Sequence, residues 1–178
     1  MIRITGFFVI MILTAGTGWA QKITGYSTLY DDRFDKWILV TDDPNVEGGL
    51  EATWAVMQDW SEWQYTLGHR SGWIRLRNKN NLNIWEVVGD GQILEVRTIF
   101  PNEFDHWQVR YRNKTYDVRM PYRGDPEQWS LKSKKDHFYF YTYYEGDIRD
   151  WVVENETDFP LPLQIGLTFI PILQVLIH

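Results

Sequence analysis

Residues 93–158 read ILEVRTIFPNEFDHWQVRYRNKTYDVRMPYRGDPEQWSLKSKKDHFYFYTYYEGDIRDWVVENETD, and in them Trp107, Trp129 and Trp151 stand 22 residues apart. The same interval runs back to Trp85 and Trp63, while Trp37 precedes Trp63 by 26. A unit of about 22 residues ending on a tryptophan strand is thus written six times. Eleven residues before each tryptophan stand Tyr26, Ala52, Ile74, Val96, Val118 and Phe140. Nine before stand Thr28, Trp54, Leu76, Thr98, Met120 and Thr142, and seven before stand Tyr30, Val56, Asn78, Phe100, Tyr122 and Tyr144. Ser27, Thr53, Arg75, Arg97 and Arg119 alternate with these columns. Such period-two alternation predicts a strand with all three columns turned inward.

A second alternation opens at the tryptophan itself. Two residues after it come Leu39, Tyr65, Val87, Val109, Leu131 and Val153. Between the two strands lie Asp31-Asp32-Arg33, Lys79-Asn80-Asn81, Pro101-Asn102-Glu103, Arg123-Gly124-Asp125 and Glu145-Gly146-Asp147, the residue types of tight hairpin turns. Phe34, Trp60, Leu82, Phe104, Pro126 and Ile148, three before each tryptophan, are placed to plug the hairpin end. Six hairpins in a meander give about twelve antiparallel strands. The irregular connection at residues 44–49 accounts for the longer interval.

The composition changes at Phe159. Residues 163–177 carry no charge, and only Gln164, Thr168 and Gln174 among them are polar. A segment apolar on every side is surrounded either by protein or by lipid. As a helix its fifteen residues reach about 22 Å, against roughly 30 Å for a hydrocarbon core. A buried central helix is therefore expected, with a C-terminal membrane anchor as the alternative. Pro171 is expected to kink or break the helix and leave its second half less regular. Twelve strands hide both sheet edges by closing into a barrel, whose lumen is too wide for its own side chains to fill. The fold expected is thus all-β with one C-terminal helix: a closed barrel around a buried hydrophobic helix, with a two-sheet sandwich as its rival.

A twelve-stranded barrel around a hydrophobic C-terminal helix is the plan of the tubby-like, LURP-one-related and phospholipid-scramblase-like superfamily. The hairpins ending at Trp37, Trp63, Trp85, Trp107, Trp129 and Trp151, with residues 163–177 after them, resemble that plan over nearly all of the chain. The hairpins also look like those of uncharacterised exported proteins of Bacteroidetes. The resemblance implies a lipid-facing role. It departs in two ways: members with known roles are largely intracellular, and their phosphoinositide-binding basic residues have no matching motif here.

An N-terminal leader is expected at residues 1–20. Arg3 gives it a positive start, residues 7–13 an apolar core, and Gly18-Trp19-Ala20 a small-x-small cleavage site before Gln21. Cleavage removes Arg3 alone among charged residues and takes the formal charge from −6 to −7. The mature chain, residues 21–178, is then one exported domain, periplasmic or extracellular, with hairpins over 23–158 and the helix within 160–178. No cysteine is present, which excludes disulfides, thiolate catalysis and a lipid-modified cysteine. The acidic balance and the lack of any Lys/Arg block argue against nucleic acid. A monomer without cofactor is expected.

Candidate functional residues are few. Arg75, Arg97 and Arg119 hold one place in three successive hairpins and could form a row about 9–10 Å apart, able to hold a phosphate or sulfated sugar. The alternative is a solvated face paired with Glu95 and Asp117. Asp32, Asp59, Glu103, Asp125 and Asp147 fall in hairpin turns and could ring a hard cation or simply cap their own turns. Trp54, Trp60, Trp63 and Trp73 crowd two units; Trp54 and Trp63 hold columns read as inward, leaving Trp60 and Trp73 for a sugar or peptide. His69, His106, His137 and His178 lack metal-ligand spacing, and no catalytic motif is present. Glu127 and Asp150 could pair as a glycosidase dyad, though nothing singles them out. The function expected is a non-enzymatic binding or scaffold domain at the cell envelope, contacting lipid or an anionic glycan. The alternatives are an envelope hydrolase acting on glycans and a protein anchored by its C-terminal segment.

Overall fold

A computed structural model describes residues 21–177; the expected leader and His178 lie outside the described residues. The strands are β1 (Ile23–Tyr30), β2 (Arg33–Thr41), β3 (Gly48–Trp54), β4 (Asp59–Leu67), β5 (Arg70–Asn78), β6 (Asn81–Gly89), β7 (Gln92–Thr98), β8 (His106–Tyr111), β9 (Lys114–Arg119), β10 (Gln128–Leu131), β11 (Phe138–Thr142) and β12 (Asp150–Asn155), followed by helix α1 (Leu161–Ile177). Each strand pairs antiparallel with its sequence neighbours, and β1 also pairs with β12. The sheet is therefore a closed barrel, which removes the sandwich alternative.

The six tryptophans are all buried. Each indole N–H donates to the carbonyl three residues earlier: Trp37 to Phe34 (2.9 Å), Trp63 to Trp60 (3.0 Å), Trp85 to Leu82 (2.8 Å), Trp107 to Phe104 (2.8 Å), Trp129 to Pro126 (2.9 Å) and Trp151 to Ile148 (2.8 Å). A buried indole N–H needs an acceptor, and the last bend of the hairpin supplies one. That bond is a reason for tryptophan rather than phenylalanine. It places a large apolar body in the core and ties the turn-end residue across the hairpin mouth.

The register sets the tilt. Trp107 faces Thr98, nine residues before it, and Val118, eleven after it. Trp85 likewise faces Leu76 and Val96. Successive hairpins are thus offset by two residues, the stagger a closed barrel of tilted strands requires. Equivalent positions of the hairpins then lie on rings around the barrel axis.

Two expectations need correction here. The long interval between Trp37 and Trp63 does not sit wholly at residues 44–49. Trp37 faces Leu50, which is thirteen residues from each of the two tryptophans, where the corresponding Val96 is eleven from each of Trp85 and Trp107. Half of the insertion lies in the β2–β3 connection, and half lies in the β3–β4 hairpin, where Ala55–Met57 form a 3₁₀ turn. Ala52 consequently takes the core place opposite Trp63, and Trp54 slides outward to face Asp59, as Tyr30 faces Arg33 and Asn78 faces Asn81. Trp54 is exposed, not inward. The column seven before each tryptophan also fails to turn inward: the ladder shifts register just before Tyr30 and Asn78, as it does before Trp54, and Tyr30, Val56, Phe100, Tyr122 and Tyr144 are exposed.

Helix α1 fills the lumen, and every residue from 161 to 174 is buried. It enters beside Gly89 and Ile23, where Pro162 and Gln164 sit, and ends among the hairpin turns. Phe169 wedges edge-on between Trp63 and Trp85, 5.5 Å from each ring. Gly166 lets the helix lean on Val87, Val96 and Val109, where even a Cβ would be in ordinary contact. Contrary to expectation, the helix is continuous through Pro171. A proline in a helix interior costs about 3 kcal/mol, and burial on all sides outweighs it. The segment is the core of the barrel, not an anchor, and among the described residues no helix is long and apolar enough to cross a membrane.

Candidate functional site

The arginine row is engaged with carboxylates. Arg75 pairs with Glu86 at 3.0 Å, Arg77 with Glu86 at 3.1 Å and Glu95 at 2.7 Å, and Glu95 also faces Arg110 at 3.5 Å and Arg97 at 3.8 Å. Burial pushes the Glu86 carboxyl up, but the hydrogen bonds from Arg77 and Arg75 outweigh it and hold the group below the usual range. Arg119 stands apart, across from His106 and Ser130. Asp117, expected to pair with the row, makes no ion pair among the described residues, and the three arginines line none of the cavities described below.

Three of the five turn carboxylates do turn chemistry. Asp59, Asp125 and Asp147 accept the backbone N–H two residues on, at 2.9, 3.0 and 3.1 Å, and Asn81 does the same at 3.0 Å. The Asp59 carboxylate, hydrogen-bonded by Lys79 and by Ser61, is held down at about 2. Its folded value is depressed, so its stabilisation is complete above about pH 4 and is lost as the pH falls through about 2. We expect Asp59→Asn to have a lower melting temperature than wild type at pH 5 and to converge on it at pH 2. Parallel curves across that range would refute the linkage.

The tryptophans expected to bind do not meet. Trp60 lies half-buried at the start of β4, stacked on Trp63 with centroids 6.1 Å apart. Trp73 lies exposed on the outer face near the opposite rim, across from Gln64 and Val88.

Two concave regions were not anticipated. One, of about 650 Å³, lies on the outside of β10–β12 and is lined by Asp125, Glu127, Gln128, Tyr139, Tyr141, Thr142, Glu145 and Glu154. Glu127 accepts from Thr142 Oγ1 (3.1 Å) and the Gly146 N–H (2.9 Å), Tyr139 donates to Gln128 Oε1 (2.6 Å), and Glu154 meets His137 Nε2 at 3.2 Å. Asp150 is not in this groove, so the dyad suggested with Glu127 does not share it.

The other region is the rim where the hairpin turns surround the end of α1. Here the ring of equivalent positions reads Tyr30, Trp54, Asn78, Phe100, Tyr122 and Tyr144, aromatic at five of six. Phe100, Tyr122 and Tyr144 are 56, 68 and 60% exposed, and Val56 on the inserted 3₁₀ turn is 98% exposed. Tyr143 packs edge-on against Tyr144, with centroids 4.6 Å apart. Inside this crown, crevices of about 390 Å³ flank the helix end: one between Trp60, Leu82, Trp85 and Leu176, another between Met120, Pro126, Ile148 and Val175. These exposed aromatics gather at one end of the barrel, although Ile38, Val40, Trp73 and Ile93 are exposed elsewhere on the wall. The column was visible in the sequence; the misplaced Trp54 and the assumption that alternation continues to the turn concealed its direction.

No family model matches the chain, and no curated protein or solved structure matches it.

Proposed function

We propose that the chain is a non-enzymatic binding domain of the cell envelope that meets a lipid interface through the aromatic rim of its barrel. The crown carries this reading. Five of the six equivalent hairpin-end positions carry exposed aromatics, and tyrosine, tryptophan and phenylalanine so placed suit the boundary between headgroup and acyl chain. The turn charges specify which lipid. Asp31, Asp32, Asp59, Glu103, Asp125, Glu145 and Asp147 outnumber Arg33, Lys79, Arg123 and Arg149, which disfavours an anionic surface and suits a zwitterionic one. The anionic-glycan alternative is weaker, because two of the three arginines it needs, Arg75 and Arg97, already face Glu86 and Glu95. A hydrolase is weaker still, because two of the groove carboxylates, Asp125 and Glu127, already accept turn and side-chain hydrogen bonds.

Flotation of residues 21–178, which contain the whole barrel and its helix, with phosphatidylcholine vesicles tests the reading. Binding is expected to persist at 0.5 M salt, as apolar insertion does. The triple variant Phe100→Ser, Tyr122→Ser, Tyr144→Ser is expected to bind at least about tenfold more weakly at unchanged melting temperature, since exposed side chains add little to folding. A wild-type chain that stays with the aqueous fraction, or a triple variant that still floats, would overturn it.

A further inference from the structure

The three polar residues of α1 are treated differently by the fold. Gln164 is saturated: its Oε1 accepts from the Ile23 N–H (2.8 Å) and Asn155 Nδ2 (2.9 Å), and its Nε2 donates to the carbonyls of Gln21 (2.9 Å) and Phe159 (2.7 Å). Thr168 Oγ1 donates to the carbonyl of Gln164 at 3.0 Å. Gln174 is nearly as secluded, 9% exposed, yet its Oε1 is buried with no hydrogen-bond partner among the described residues. A buried acceptor left unpaired costs more than the bond it forgoes, so an apolar residue would serve packing better there.

Gln174 also lines a cavity. The crevice between Met120, Pro126, Ile148, Pro171 and Val175 has a volume of about 390 Å³, and its other walls are apolar. The helix meets Val87, Val96 and Val109 at Gly166, and the crevice lies elsewhere around it, toward the β9–β12 turns. An apolar cavity of this size with one convergent polar group is the ordinary form of a small-molecule site.

We propose that this crevice binds a small amphiphile: an apolar chain or ring carrying a hydroxyl or similar hydrogen-bond donor, toward which the Gln174 side chain turns its unpaired amide oxygen to accept the bond. The apolar walls take the body of the ligand, and Gln174 selects for the donor. An ion does not fit, because among the described residues no charged side chain lines the crevice. The site does not depend on membrane contact at the rim, and its test contains no vesicles, so the two readings fail separately.

The test uses 1-octanol and 1-methoxyoctane, which share an apolar chain and differ in the donor. The readout is the indole N–H resonances, because Trp129 and Trp151 donate to the carbonyls of Pro126 and Ile148, two walls of the crevice. Octanol added to the full chain is expected to shift the Trp129 and Trp151 signals saturably, and those of Trp37 and Trp63 little. The ether is expected to bind about tenfold more weakly, the worth of one buried hydrogen bond. Gln174→Leu is expected to erase that preference while leaving the melting temperature equal or higher; a glutamine serving structure alone would instead lower it and leave the preference intact. Val175→Trp, which fills the crevice, is expected to abolish both shifts. Equal binding of alcohol and ether, no saturable shift at Trp129 and Trp151, or a preference surviving in Gln174→Leu would overturn the site. If Gln174→Leu does not fold, Gln174→Met provides the same comparison.

Discussion

A chain ending at Pro160, without α1, is expected to lose cooperative folding altogether. Eight large apolar side chains of the helix are essentially excluded from water: Leu161, Leu163, Ile165, Leu167, Phe169, Ile170, Ile172 and Leu173. At about 1.5–3 kcal/mol each, their burial contributes about 12–24 kcal/mol gross, an upper figure because the unfolded chain already hides some surface. Net stabilities of small domains are about 5–15 kcal/mol, so little can remain. The loss reaches the wall as well. Trp63 and Trp85 lose Phe169 from between them, and the inward faces of β6, β7 and β8 lose Gly166 and its neighbours. A twelve-stranded lumen cannot close over the void with side chains alone. The check is a thermal melt followed by circular dichroism together with tryptophan emission. No sigmoidal transition and a red-shifted emission are expected. A truncated chain with a sharp transition and buried-tryptophan emission would show that the barrel stands without its helix. Phe169→Asp asks the same question without shortening the chain: it sets an unpaired charge between two indoles, and the transition should again be lost or greatly weakened.

The barrel was legible because three independent signals in the chain agree. The 22-residue interval gives the hairpin count, the columns eleven before and two after each tryptophan give the inward face, and the uncharged segment after Phe159 gives the filling. Each rests on the hydrophobic pattern, which is local and periodic. The misreadings lie where locality fails. Position counting put Trp54 in the core, but the β3–β4 hairpin holds two extra residues, and only pairing shows that Ala52 took its place. Pro171 reads as a break in isolation, yet the surrounding wall holds the helix through it.

The candidate sites were less legible, for a related reason. Composition shows which groups are present; whether they are already satisfied depends on partners far away in sequence. Arg75, Arg77, Arg97 and Arg110 share Glu86 and Glu95 across four strands, and no spacing rule shows that sharing. Gln164 and Gln174 look alike in the sequence. One reaches Gln21, Ile23 and Asn155, and the Oε1 of the other has no partner among the described residues. The glycines are a third instance. The sequence does not mark Gly72 and Gly89 as partners, yet they lie side by side on the inner wall with the Tyr65 ring across them.

That arrangement makes Gly72→Ala the most damaging conservative point change in the wall. Tyr65 faces Gly72, and Gly72 faces Gly89, on three consecutive strands. Tyr65 is 1% exposed, and its hydroxyl donates to the Val88 carbonyl at 3.3 Å. A Cβ on Gly72 would lie 2.0 Å from the Val88 carbonyl oxygen and 2.4 Å from the Tyr65 hydroxyl. The first contact is with backbone, which moves only if the β5–β6 ladder opens. Overpacking of this kind costs about 1–3 kcal/mol and occasionally more, and a backbone clash puts Gly72→Ala at about 3 kcal/mol or above. Gly89→Ala meets a different obstacle: its Cβ would lie 1.8 Å from the Tyr65 hydroxyl and 3.0 Å from the ring carbon that bears it. Tyr65→Phe removes that hydroxyl. It should recover much of the loss in Gly89→Ala and little of the loss in Gly72→Ala, whose nearest contact is untouched. Urea denaturation of the single and double variants measures both couplings. Equal rescue of the two alanine variants by Tyr65→Phe would mean that the Val88 carbonyl yields, and that the tyrosine hydroxyl alone sets the spacing between β5 and β6.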